Sequence, residues 1–441
     1  MNTSLPHATT PFAGKIGRLT SDSEGAPVPQ VKAPADAPNI LVIILDDVGF
    51  GSFGTFGGPV PTPGLDLVAQ KGLRYNRFHT TALCSPTRAA LLTGRNHHAV
   101  HMGGIPEQAN GFPGYDTIIP PEAATVAQVL RMNGYATGCF GKWHLGLTWQ
   151  TKDGNAPVPV GKGLSNVDFT KPIGDGPTER GFDTWFGVDA PNFPPYVYIQ
   201  DDKTVGIPDT HVEKAFQLNR PGPSLKNWNL ERILPDVGRK AAQWIADQAK
   251  AKKPYFAYIP LPSPHYPIVP TKAWQGTTAA GAYGDFVAQT DAVIGEILQA
   301  IKDSGTEDNT LVIFTSDNGP EVATEVKPGV YERITLSNHD SRGGLRGVKR
   351  DLWEGGHRVP FIAKWPAKIP SGTTTAETLC HTDIFATIAG IVGSPVPENA
   401  GEDSINMLPA LRGGAGGRRK VPTIHQSGDG KLAIRDGSWV Y

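Results

Sequence analysis

The sequence predicts an α/β fold: a mostly parallel central sheet with helices on both faces, followed by a smaller C-terminal antiparallel subdomain. Three observations carry this. Asn39–Leu45, NILVIIL, is an apolar run of the kind found in strands covered on both faces. Strand-like and helix-like segments alternate along most of the chain. Several strands run directly into polar or charged residues, and a parallel sheet binds its ligands outside the carboxyl ends of its strands.

In chain order, residues 1–36 carry Pro, Ser, Ala and Gly without periodicity and read as an extended N-terminal arm. Residues 37–395 hold the main domain. After its first strand, helices are expected near Thr62–Lys71, Pro86–Leu92, Glu122–Asn133, Arg232–Lys252, Tyr283–Asp303 and Thr382–Val392. Strands are expected at Tyr135–Phe140, Tyr255–Pro260, Thr310–Ser316 and Val359–Trp365. Gln150–Pro223 is rich in Gly, Pro, Asp and Asn and reads as loops laid over one end of the sheet, with Trp185, Phe186, Tyr196 and Tyr198 available to stack on a ring or sugar face. Residues 396–441 read as a linker to Gly417 and then strand-like pieces, with an Asp-Gly turn in KLAIRDGSWVY. A chain end inside such a hairpin points to an incomplete subdomain.

Composition narrows the partners. Lys+Arg 41 against Asp+Glu 42 gives a net charge of -1, so no overall field holds nucleic acid or an anionic membrane, and any anion site is built locally. Cys84, Cys139 and Cys380 are too few for a disulfide framework or a thiolate zinc site. No run has the length of a membrane span, and no leader is visible at the N-terminus. The expected location is the cytoplasm, or the periplasm or exterior if a leader was removed.

Four strand ends carry the chemistry. Asn39–Leu45 runs into Asp46-Asp47, Tyr135–Phe140 into Lys142 and His144, Tyr255–Pro260 into Ser-Pro-His265, and Thr310–Ser316 into Asp317-Asn318. Each alone is ordinary turn chemistry, but together at one sheet edge they read as a site. Three carboxylates and an amide oxygen form a hard set suited to Ca2+ or Mg2+ rather than Zn2+. Arg88, Lys142, His144, His265 and Lys349 add positive charge, so the expected substrate is a tetrahedral oxyanion ester, sulfate or phosphate. Cys84 stands at a helix start, where the macrodipole favours negative charge, with Ser85 as N-cap and Pro86 at the first helical position. Burial as a small apolar side chain is the plain alternative for it. His97 and His98 follow that helix and suit an entrance, a surface or a cap.

Cys84-Ser85-Pro86-Thr87-Arg88 with Leu91-Leu92-Thr93-Gly94, and Gly134-Tyr135-Ala136-Thr137 leading to Gly141-Lys142-Trp143-His144, resemble the two signatures of the type I sulfatases, in the alkaline phosphatase superfamily. Phe140 stands where a smaller residue is usual. The resemblance continues through Asp46-Asp47, Ser263-Pro264-His265, Asp317-Asn318-Gly319, and Lys349 ahead of Trp353-Glu354-Gly355-Gly356. It implies an alkaline phosphatase-like fold and hydrolysis of aryl or carbohydrate sulfate esters. It also implies that Cys84 is oxidised to Cα-formylglycine by a maturation enzyme that recognises Pro86 and Arg88. The hydrated aldehyde would be the nucleophile, and would join Asp46, Asp47, Asp317 and Asn318 around one divalent cation, Ca2+ before Mg2+. By the same resemblance Lys142 and Lys349 would bind sulfate, Arg88 would hold the formylglycine on its metal side, His265 would protonate the leaving oxygen, and His144 would release sulfate from the diol. Two rivals stand beside this: a phosphate or phosphonate ester hydrolase of the superfamily, and a non-enzymatic sulfoglycan-binding relative with Cys84 unmodified.

Overall fold

The structure, a computed structural model, describes residues 13–26, 31–158, 164–213, 216–322, 328–394, 396, 400–413, 419 and 421–441. Its strands are β1 (Asn39–Leu45), β2 (Leu73–His79), β3 (Ala136–Lys142), β4 (Thr184–Val188), β5 (Ile199–Gln200), β6 (Lys203–Thr204), β7 (Thr210–Val212), β8 (Gly222–Ser224), β9 (Tyr255–Pro260), β10 (Thr310–Ser316), β11 (Arg358–Lys364), β12 (Thr373–Thr375), β13 (Leu379–Cys380), β14 (Thr423–Gln426), β15 (Leu432–Asp436) and β16 (Trp439–Val440). Its α-helices are α1 (Pro63–Gln70), α2 (Cys84–Thr93), α3 (Val126–Met132), α4 (Ile233–Lys250), α5 (Gly281–Asp303), α6 (Val330–Ser337), α7 (Glu354–His357), α8 (Asp383–Ile391) and α9 (Leu408–Leu411).

The main sheet has the order β12-β2-β11-β10-β1-β9-β3-β4-β5-β6, with β13 also on β2. Its centre, β10-β1-β9-β3-β4, is parallel. The β1 side chains alternate between two cores. Ile40, Val42 and Ile44 pack with α2, α3 and α8 on one face. Leu41, Ile43 and Leu45 pack with α1, α4 and α5 on the other. A strand buried on both faces needs the unbroken apolar run that β1, β9 and β10 share. The small antiparallel sheet β14-β15-β16 closes the C-terminal part.

Several expectations are corrected. Val359–Trp365, expected as a strand, is β11, and within the mostly parallel sheet it runs antiparallel to β10, because apolarity reports burial and says nothing of direction. Gln150–Pro223 is not all loops: β4 completes the parallel centre. Trp185 and Tyr196 are buried there against their own chain, with Trp185 Nε1 donating to the Gly141 carbonyl at 3.2 Å and Tyr196 Oη to that of Arg220 at 2.6 Å. Phe186 and Tyr198 pack on each other, ring centres 4.9 Å apart, and Tyr198 Oη donates to Asp236. These four rings are therefore framework. The third helix starts later than expected, because Thr125 and Gln128 form a capping box. In the arm, an isolated bridge pairs Lys15 with Glu24 around a 3-10 turn, Thr20–Asp22, so its described part is not fully extended. Residues 1–12 and 27–30 of the arm, and 397–399, 414–418 and 420 of the linker, lie outside the described residues.

Candidate active site

The site forms at the carboxyl edge of the parallel centre. Leu45 is in register with Ser316, so the residues that follow, Asp46-Asp47 and Asp317-Asn318, leave the sheet side by side. Lys142 closes β3, and His265 follows β9. α2 brings Cys84 and Arg88 to the same place. Its N-cap is Leu83, not Ser85, and Cys84 is its first residue, so Pro86 sits within the first turn, where its missing N-H costs nothing.

Every residue of α2 is buried. Arg88 Nη2 reaches Asp317 Oδ2 at 2.9 Å and Asp46 Oδ2 at 3.3 Å, and Nη1 donates to the Lys142 carbonyl at 3.0 Å. Lys142 Nζ donates to Asp46 Oδ2 at 2.8 Å, and Lys349 Nζ to Asp47 Oδ1 at 2.7 Å. Asn318 Nδ2 donates to Asp47 Oδ1 at 2.8 Å. All the residues expected at the site are thus brought together, with the two lysines and Arg88 engaged by carboxylates.

Three acceptors are left over. Asp46 Oδ1, Asp47 Oδ2 and Asn318 Oδ1 are buried with no hydrogen-bond partner among the described residues. An orphaned buried acceptor is costly, and three such oxygens, with ligand atoms of Asp46, Cys84 and Asp317 within 4.8 Å of one another, fit a hard cation of the Ca2+ or Mg2+ class. The charges point the same way: burial and the Asp46 charge push Asp317 up, while Lys142, His265 and Arg88 overcome burial to hold Asp46 well below the usual carboxylate range.

His144 stands over Cys84, Nδ1 3.4 Å from Sγ, and its Nε2 is 3.0 Å from Glu107 Oε2. Burial disfavours the imidazolium, but Glu107 and the Cys84 thiolate outweigh it and raise His144 to about 9. Burial likewise opposes ionisation of Cys84, yet Lys142, His144 and Lys349 bring the thiol down to about 6. The backbone at His144 is left-handed, φ 56, and its N-H donates to Asp189 Oδ1 at 3.0 Å. Asp47 is also left-handed, φ 66, a strain concentrated where side chains are aimed at a site. His265 Nδ1 donates to the Tyr266 carbonyl, which leaves Nε2 facing Asp47 Oδ2 at 3.7 Å. Burial foremost, with Lys349 and Lys142 adding, lowers His265 to about 4.

The family model for Sulfatase matches residues 38–394. The chain belongs to the sulfatase family. It is 32% identical to an N-acetylgalactosamine-6-O-sulfatase of Bacteroides thetaiotaomicron over 92% of this chain and 82% of that one. It is 33% identical to human arylsulfatase A over 92% and 75%. A solved structure from Bacteroides thetaiotaomicron, determined in work on the metabolism of multiple glycosaminoglycans, superposes with a TM-score of 0.79 at 28% identity, covering 92% of this chain and 87% of that one. The reaction of this sulfatase is hydrolysis of sulfate esters, on an alkaline phosphatase-like fold. No helix among its described residues is long and apolar enough to cross a membrane.

Sequence reasoning missed three acidic residues of the sulfatase site. Glu107 sits in a single 3-10 turn, Pro106–Gln108, Asp189 just past β4, and Glu321 3.6 Å from Lys349 Nζ. None lies in a periodic segment, and only the tertiary fold brings them to His144 and Lys349. His97 neither lines an entrance nor caps a helix. It is buried, with Nε2 2.6 Å from Gln426 Oε1 in β14.

Proposed function

We propose that this sulfatase works through Cys84 converted to Cα-formylglycine, beside one Ca2+ or Mg2+ held by Asp46, Asp47, Asp317 and Asn318. The observation that carries this is the set of three orphaned oxygens, on Asp46, Asp47 and Asn318, at a sheet edge where ligand atoms of Asp46, Asp317 and the buried Cys84 lie within 4.8 Å of one another and Arg88, Lys142 and Lys349 are already paired to the aspartates. When bound, the cation supplies Lewis-acid polarisation and acidifies a neighbouring hydroxyl.

The chain's own residues do the rest. Arg88, Lys142 and Lys349 balance the charge of Asp46, Asp47 and Asp317, so a bound cation leaves an excess positive charge that an anionic sulfate meets. His144 accepts or holds a proton at the position of the Cys84 side chain, with Glu107 orienting it from behind, the arrangement of a nucleophile, a base and an orienting carboxylate. Conversion of Cys84 to an aldehyde removes the thiolate that helps raise His144, which eases it towards the neutral form a base needs. His265, with Nε2 facing the site, protonates the leaving oxygen, taking up its proton when the anionic ester arrives.

The substrate class we favour is a carbohydrate 6-O-sulfate, as in the name of the N-acetylgalactosamine-6-O-sulfatase relative. A sulfate on an exocyclic CH2 extends from the ring and reaches a nucleophile position that is only 3% exposed. The test is peptide mass spectrometry of the fragment containing Leu83–Arg88, with turnover of N-acetylgalactosamine 6-sulfate and of an aryl sulfate on the same preparation. Activity proportional to the formylglycine content is expected, with none in Cys84→Ala. Full activity from wholly unmodified cysteine would end the proposal.

A further inference from the structure

Lys349 is buried against Asp47, but the residues that follow it turn outward. Arg350, Asp351 and Trp353 line one side of a cavity of about 570 Å³, and the turn between β14 and β15, with Ser427, Asp429 and Lys431, lines the other. Two backbone hydrogen bonds fix the arrangement. Gly428 N-H donates to the Arg350 carbonyl at 2.9 Å, and a Cβ on Gly428 would stand 2.7 Å from Arg350 Cγ. Arg350 N-H in turn donates to the carbonyl of Ala82, two residues ahead of Cys84, at 2.9 Å. The cavity therefore adjoins the Cys84 end of the site. The backbone of Arg350 is left-handed, φ 77, the same strain seen at Asp47 and His144.

Arg350 links the cavity to the charges of the site. Its half-exposed guanidinium pairs with Glu321, which also lies 3.6 Å from Lys349 Nζ. Against the cost of burial, Glu321, Asp47 and the Cys84 thiolate favour its charged form. Trp353 is half-exposed as well, with the Arg346 guanidinium 3.6 Å from its ring centre. An indole so exposed adds little to the core, and its flat apolar face suits the C-H face of a pyranose. Around it Arg350 and Lys431 balance Asp351 and Asp429, and Lys431 Nζ is 2.8 Å from Asp429 Oδ2. A polyanion meets no excess charge there, whereas hydroxyl groups find both donors and acceptors. The volume falls within the range of about 300–1,000 Å³ usual for small-ligand sites.

We propose that this cavity is a sugar subsite, and that the substrate is an oligosaccharide whose second ring lies on Trp353. The inference rests on the reading of the substrate as a carbohydrate 6-O-sulfate. Arg350 takes hydroxyls of the ring that bears the sulfate, and Trp353, Asp429 and Lys431 take the ring beyond it. The order along this segment, Lys349 then Arg350 then Trp353, follows the order of sulfate, first ring and second ring.

The test compares three esters on one preparation: an aryl sulfate, N-acetylgalactosamine 6-sulfate, and that sulfated sugar joined through its C1 to glucuronic acid. The unaltered protein should have a kcat/KM for the disaccharide roughly tenfold or more above that for the monosaccharide. Trp353→Ala should erase this preference through KM, Trp353→Phe should keep most of it, and Asp429→Ala, on an exposed turn, should reduce it. Equal values in the unaltered protein, or a preference that survives both alanine variants, overturn the proposal. Saturation-transfer NMR with the same disaccharide lacking its sulfate reads the subsite apart from turnover. Transfer to the glucuronate protons, lost in Trp353→Ala, is expected, and its absence from the unaltered protein overturns the subsite. If the sugar sulfates are not hydrolysed, the 6-O-sulfate reading fails, and the NMR result alone decides the subsite.

Discussion

At the scale of single residues, Glu107 is the side chain whose removal says most about His144. Glu107→Gln takes away the main influence that raises His144, leaving burial and Lys142 to lower it. If His144 acts as a base, the acid limb of the pH-rate profile should move to lower pH by about one unit or more. A weaker base then costs rate on the order of tenfold on the plateau. An unmoved limb would show that His144 is not the titrating group. The same pair bears on stability in the unmodified protein. The folded value of about 9 lies above the ordinary 6.5, so this stability is complete below pH 6.5 and is lost as pH rises through 9. Melting of Glu107→Gln should lack that alkaline slope. His265 is separable by substrate: His265→Ala should slow esters of poorly acidic alcohols by roughly 10²-fold or more and spare esters of acidic phenols, whose phenolates depart unprotonated. An equal loss across a leaving-group series would assign the acid elsewhere.

At the scale of elements, α2 depends on its ending as much as on its start. Gly94 terminates it in the left-handed region, φ 66, and a Cβ there would stand 2.7 Å from Phe385 Cβ of α8. Gly94→Ala therefore combines backbone strain with a clash between two helices and should cost about 1–3 kcal/mol in urea unfolding. Because the same helix carries Cys84 and Arg88, turnover should fall with stability. An unchanged midpoint would mean that α8 yields easily.

The strand edge was legible at this scale because β1, β9 and β10 are apolar runs that stop at Asp46, near His265 and at Asp317, and a charge after such a run marks the sheet's end. β2 and β4 were not: LRYNRFH mixes exposed and buried positions without a clean period, and TWFGV is hidden among glycines and prolines. What makes them strands is their neighbours, β11 and β3, which no local pattern reveals.

For the molecule as a whole, the charge count of the site predicts coupled binding. Asp46, Asp47 and Asp317 are matched by Arg88, Lys142 and Lys349, so a divalent cation alone brings uncompensated charge and a sulfate alone meets no free cation. Each should bind better with the other present, by the same factor in both directions. In thermal melts, Ca2+ and sulfate together should raise the midpoint by more than the sum of their separate shifts, and Asp47→Asn should reduce the excess. Strict additivity would separate the two sites. The residues of this charge set were readable because their motifs sit at strand ends. Glu107 and Asp189 were not, because each comes from a distant segment of the chain that carries no local signature.

The complete burial of α2 has a consequence for how active molecules arise. Under the proposed modification another protein must reach Cys84, and the folded chain offers it no access, so maturation and folding compete for each new chain. The topology lengthens the interval: β1 cannot pair with β10 until residues as far along as Ser316 exist, roughly 230 residues after Cys84, on the order of ten to fifty seconds of synthesis. The active fraction of a preparation is then a ratio of two rates, set before the native structure exists, and slower synthesis raises it without altering a single native contact.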